Sequence, residues 1–273
     1  MSNNDLTVLF DESGTPQIVG KYRNEWFLGC GVRYEQSAET EIFARCYEAV
    51  GLSKNRPMKN HRISIDRVIR IARILTDLPL STNVSGIDTI DPEFRKIVKN
   101  YRRFVKNVRA THRPEVRDRA IGQIIHSQVL DHCLFHSVSG YFEAGGHDAH
   151  VSVFIDNWSV PNDDAGVYLE ERAGSLDRSI TSLCSKSHMG RTLSIGRIEL
   201  LKDDTNRKRF VDVVASIFSR AFLRSDNPRY TREAMDILVE SGKANFSDAT
   251  GYSMGLMQMM MNGRSRDGKS TFR

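Results

Sequence analysis

Cysteine is sparse and scattered in this chain. Cys30, Cys46, Cys133 and Cys184 stand far apart, and no two form a CxxC pair. That argues against a disulfide framework or a structural zinc site and leaves buried free thiols in a reducing compartment as the simpler reading. Long apolar runs are missing as well: none approaches the roughly 20 residues that a membrane-spanning helix needs. The start, MSNNDLTVLFDESG, has no basic region followed by an apolar stretch, so no secretory leader is expected and the cytoplasm is the expected location. There is no GxxxxGK phosphate loop, no GxSxG nucleophile elbow, no internal repeat and no low-complexity tract. These absences weigh against a secreted mini-protein, an integral membrane protein, a P-loop NTPase and a serine hydrolase of the α/β type.

What is present is the composition of an ordinary globular protein. The 273 residues are 40 % hydrophobic and 27 % charged, enough to build one large domain or two small ones around a sizeable core. The formal net charge is only +5, but it is unevenly placed. Between Phe94 and Arg119 there are ten Lys and Arg against Glu115 and Asp118, a local excess of eight that leaves the rest of the chain at −3. Positive charge concentrated in this way suits contact with a polyanion.

Leu6–Phe10 is a short apolar run with β-branched members that leads into Asp11-Glu12-Ser13-Gly14, which reads as a buried strand entering a turn. Trp26–Tyr34 reads as a second strand, and Gly29 and Gly31 within it suggest close approach by another backbone. Ser37–Val50 and Ile65–Leu75 have helical spacing, Asn55–His61 is irregular, and Pro79–Ile87 is a candidate third strand. Asp91-Pro92-Glu93 is a strong helix start, with Asp91 placed to cap and Pro92 suited to the first turn. The helix that follows sets Ile97, Val98, Tyr101, Phe104, Val105 and Val108 along one stripe and most of its cations on the other side. Gly122–Phe142 is again helical, Val151–Ile155 a strand ending at Asp156-Asn157, Gly166–Cys184 a helix, Thr192–Leu201 a strand and Arg207–Leu223 an amphipathic helix. The order implies an α/β fold, a mixed sheet flanked by helices with the block from about 55 to 142 inserted. Residues 1–225 would form this domain and residues 226–273 a helical extension ending in a Met-rich patch and a basic tail.

Two strands therefore end in carboxylates, Asp11 and Asp156, and a late helix carries a third, Asp212. If the strands are neighbours and the helix crosses their ends, the three converge. Two charges about 4 Å apart repel by about 4 kcal/mol at an effective dielectric near 20. A divalent cation relieves that repulsion, and clustered oxygen ligands select Mg²⁺ or Mn²⁺ over zinc. Each residue also has a plainer reading: Asp11 as a turn residue, Asp156 as a cap, Asp212 as a complement to its helix dipole. The same duality holds for the basic helix. Lys96, Lys99, Arg102, Arg103, Lys106 and Arg109 are either a nucleic-acid contact or a solvated face. Contact with five or six phosphates would give a log–log salt slope of roughly −5. His126, His132, Cys133 and His136 read as core or polar residues rather than a metal site. Lys59 and His61 cannot be placed from sequence, and the methionines from Met254 to Met261 suit core packing or a dimer contact.

The segments FDESGTP at Phe10–Pro16, WFLGCGV at Trp26–Val32, VSVFIDN at Val151–Asn157 and RFVDVVASIFSR at Arg209–Arg220 resemble the ribonuclease H-like family called domain of unknown function 3800. The resemblance implies an RNase H-like domain whose retained acidic cluster is Asp11, Asp156 and Asp212, with Glu12 a possible additional ligand. The chain departs from the family pattern in carrying Val211 ahead of Asp212 and in lacking the Gln-Leu before that pair. The leading expectation is a metal-dependent nuclease acting on DNA or RNA through catalytic Asp11, Glu12, Asp156 and Asp212. The alternative is an inactive RNase H-like module that binds nucleic acid or a partner protein, as a subunit of a larger complex; a partner protein or a homo-oligomer is compatible with either reading.

Overall fold

The computed structural model describes residues 4–13, 26–50, 63–108, 114–143, 149–156, 193–201, 206–223 and 227–267, together with Gly174 and Arg178. Apart from Gly174 and Arg178, which are helical, the expected helix over Gly166–Cys184 lies outside these residues, as do the loop Asn55–His61, Arg109 and the end of the basic tail.

Six strands form one mixed sheet: β1 (Asn4–Ser13), β2 (Trp26–Glu35), β3 (Leu80–Asp88), β4 (Ala149–Ile155), β5 (Leu193–Leu200) and β6 (Ala244–Asp248), in the order β5-β4-β1-β2-β3-β6. β1 is antiparallel to β2, and β2 to β3, whereas β1–β4, β4–β5 and β3–β6 are parallel. β1 is central, and its sequence fits that position. Leu6, Val8 and Phe10 face one side and Leu9 the other, all buried, as expected of a strand covered on both faces.

Helices cover the two faces. On the Leu9 side lie α1 (Glu39–Val50), α2 (Ile65–Thr76), α5 (Asn206–Ala221) and α6 (Glu233–Glu240). Their residues, among them Phe43, Ile71, Phe210, Phe218 and Leu238, form the largest core cluster with Leu28, Val32 and Val84 of the sheet. On the Phe10 side lie α3 (Pro92–Val108), α4 (Pro114–Glu143) and α7 (Thr250–Asp267). Phe94, Val98 and Tyr101 of α3 pack there with Phe27, Ile87, Ile125 and Met257. Asp91 caps α3 as its type suggests, its Oδ1 accepting from the Glu93 and Phe94 amides at 2.7 and 3.0 Å. α4 crosses β2 where that strand has no side chains. A Cβ on Gly29 would stand 2.6 Å from Val129 Cγ1, and one on Gly31 2.6 Å from Ser137 Oγ.

Two expectations about organisation need correction. The block 55–142 is no insertion set apart from the sheet, because it supplies β3 and the helix α4 that covers β1 and β2. Nor is 226–273 a purely helical extension. It contributes the edge strand β6, paired with β3 from Thr82↔Ala244 to Gly86↔Asp248, and Leu238 and Met257 belong to the core clusters. The sequence ANFSD is too short and polar to announce a strand, which is how edge strands avoid pairing with other chains. Among the described residues no helix is long and apolar enough to cross a membrane. Cys30, Cys46 and Cys133 are buried free thiols.

Candidate metal centre

The end of β1 is the origin of the site. Far from turning after Phe10, β1 continues to Ser13, paired with β2 through Asp11↔Cys30 and Ser13↔Leu28. Strand alternation then decides where each acid goes. Asp11 follows Leu9 onto the α5 side. In the parallel register Phe10 lies beside Ile155, so Asp156, the residue just after β4, comes beside Asp11, and its amide donates to Phe10 O at 3.0 Å. α5 packs across β1 and brings Asp212 to the same place. One carboxylate oxygen from each of Asp11, Asp156 and Asp212 lies within 4.8 Å of the other two.

The electrostatics are those of crowded like charges. Asp11 is 6 % exposed, and its pKa is raised well above the usual carboxylate range, first by burial and then by the charges of Asp212, Glu12 and Asp156. Asp212 is pushed up to about 6, again chiefly by burial and then by Asp156, while Lys208 and a hydrogen bond from Asp11 pull the other way. Lys208 joins the cluster from α5, its Nζ 2.9 Å from Asp156 Oδ1.

No protein-family model matches the chain, and no curated protein matches it. The chemistry of the cluster follows from its donors. Three hard oxygen donors on three separate elements could hold a divalent cation and do not suit a soft thiolate-seeking ion.

The other candidate residues are placed elsewhere. Glu12 points to the opposite face from Asp11, where its Oε2 meets His126 Nε2 of α4 at 3.3 Å with both side chains almost fully buried. It is not part of the three-carboxylate cluster, although its charge is felt by Asp11. Lys96, Lys99, Arg103 and Lys106 are exposed on α3, and Arg102 is partly buried. Arg95 and Lys96 make local contacts with Thr89 O and Glu93. α3 therefore displays its cations from the layer on the other side of the sheet from Asp212. Only the start of α3 is placed at the Ser13 end of the sheet, where β3 ends at Asp88 opposite Trp26.

Sequence reasoning missed Lys208. The signal was available: Lys208 precedes Asp212 by four residues, so the two share a face one turn apart. His132 and His136 sit ring to ring at 4.5 Å, and His132 Nδ1 meets Ser85 Oγ at 3.0 Å. Burial lowers the His132 pKa to about 4, as expected for a packed polar histidine. Among the described residues the two join no cluster of three metal-ligating side chains.

Proposed function

We propose that the protein is RNase H-like in fold and a metal-dependent nuclease of the cytoplasm that hydrolyses phosphodiester bonds in DNA or RNA. Asp11, Asp156 and Asp212 would hold Mg²⁺ or Mn²⁺. The observation that carries this reading is the convergence of three carboxylates from β1, β4 and α5 within 4.8 Å, with Asp11 and Asp212 both raised in pKa. The central β1 with its acid end beside parallel β4, and α5 packed on β1 and β2, supports the architecture implied by the resemblance to the domain of unknown function 3800 family. When bound, a divalent cation supplies charge neutralisation and Lewis acidity toward a phosphodiester. The chain's own part is to fix the three carboxylates on rigid elements, in a buried and crowded setting where their charges are costly until a cation offsets them.

The exposed cations of α3 give the nucleic acid a place to bind outside the carboxylate cluster. Their position on the opposite helical layer favours a second reading: a non-catalytic module in which polyanion binding to α3 never reaches the carboxylates. One experiment separates the two. Labelled single- and double-stranded DNA and RNA are incubated with Mg²⁺, Mn²⁺ or chelator, with Asp11→Asn, Asp156→Asn and Asp212→Asn purified alongside. Metal-dependent cleavage by wild type that is lost in all three variants is the expected result. Folded wild type that binds but cleaves nothing transfers the case to the second reading.

A further inference from the structure

Among the described residues Lys208 is the cation that the structure places at the carboxylate cluster, and its surroundings limit what it can do. Its Nζ is 2.9 Å from Asp156 Oδ1, with the two side chains 19 % and 16 % exposed, and its charge acts directly on Asp212. The helix that carries it is fixed. Arg207, the preceding residue, makes a two-pronged ion pair with Glu39 at 2.8 and 3.2 Å and stands 4.1 Å over the Phe154 ring. Glu39 in turn accepts from the Tyr34 hydroxyl at 2.8 Å. On the other side of Lys208, Phe210 and Val211 are buried in the core. The backbone of Lys208 is therefore held, while its ammonium sits where solvent still reaches the pair. An ammonium offers a carboxylate a single charge and no coordination geometry. It can stand in for a divalent cation in charge only.

We infer that Lys208 is the resident counter-cation of the carboxylate cluster, which a divalent ion must displace, so that Lys208 sets the metal concentration at which the site fills. This rests on the reading of the cluster as a metal centre. It differs from an ordinary structural ion pair in its consequence: a structural pair would leave metal affinity unchanged or lower it when broken, whereas removing a competitor raises it. The arrangement keeps the metal-free fold compact and makes the enzyme responsive to free metal.

The test is Mn²⁺ titration of the chelator-treated full chain by calorimetry, with wild type, Lys208→Met, Lys208→Gln, Lys208→Arg and Asp11→Asn. Lys208→Gln keeps a hydrogen-bonding side chain beside Asp156 and covers the case in which Met in that position misfolds. The expected result is about tenfold tighter Mn²⁺ binding in the Met and Gln variants, near-wild-type binding in the Arg variant and loss of binding in Asp11→Asn. Melting curves give a second readout: Mn²⁺ should raise the melting temperature of Lys208→Gln by more than it raises that of wild type. Wild-type binding abolished by Asp11→Asn but unchanged or weakened in the Met and Gln variants overturns the role of Lys208 and leaves the metal centre standing. No Mn²⁺ binding by folded wild type overturns the metal centre, and the role of Lys208 falls with it.

Discussion

Asp11 and Glu12 are adjacent carboxylates at one strand end, yet they live in opposite environments. Asp11 faces Asp156 and Asp212 and is kept from ionising freely first by its burial and then by neighbouring carboxylates, Asp212 foremost. Glu12, one residue on and one face over, has His126 as its partner and is sealed under α4. The lesson is that the chemistry of an acid is set by which face of the sheet it joins. A repelled carboxylate raises the energy of the metal-free protein, and a cation can recover that energy. A paired carboxylate has nothing further to gain from one.

Substitutions can push the two residues apart. The largest effect is expected at Asp11. Asp11→Asn or Asp156→Asn should reduce metal-dependent cleavage by at least about a hundredfold, measured as single-turnover rates on the substrate that wild type prefers, while the fold is retained. Next is the Glu12 side. His126→Leu leaves Glu12 buried without its partner and should cost about 3 kcal/mol in denaturant unfolding, and Glu12→Leu combined with His126→Leu should recover most of that loss.

The third expectation reverses the sign. Asp212 titrates near pH 6 in the fold against about 3.9 when unfolded. Between those values the folded state binds more protons than the unfolded state, so its stability falls as pH rises through that window and stays lower above it. Asp212→Asn should flatten this dependence and stabilise the metal-free protein at pH 7 to 8 by about 1 to 3 kcal/mol, even as it removes activity. Unfolding curves at pH 5 and pH 7.5, with and without Mn²⁺, measure it. The smallest effect is at the surface. Lys99→Glu with Arg103→Glu should weaken nucleic-acid binding and reduce the log–log salt slope by about 2, leaving metal affinity at Asp11 unaltered. An unchanged slope would make α3 a solvated face.

How much of this was legible in the sequence depends on which physical rule each residue obeys. Asp11 and Asp156 could be read because each follows a short apolar run, and such runs end at a sheet edge. The cap at Asp91 and the apolar stripe of α3 were legible because both are local. Glu12 joins Asp11 in the sequence reading only through the family resemblance, and the segment Asp-Glu-Ser-Gly, read as a turn, carries no alternation to separate the two. The pairing with β2 extends β1 to Ser13 and imposes alternation instead. β6 gave no signal because its partner β3 lies some 160 residues earlier and its own residues are polar. Lys208 was hidden for a different reason: attention to the apolar face of α5 passes over the polar turn that carries both Lys208 and Asp212.

The bare stretch of β2 under α4 has a mechanical consequence. With Gly29 and Gly31 offering only hydrogen, the 30-residue α4 rests directly on the strand, pinned farther along where Arg33 Nη1 donates to Ser137 O at 2.6 Å. A single methyl at Gly29 would act as a shim under a long beam, tilting its near end, which carries His126, about the Ser137 pin. The clearance between helix and sheet is thus a setting held by two absent side chains, and the seal over Glu12 opens or closes with it.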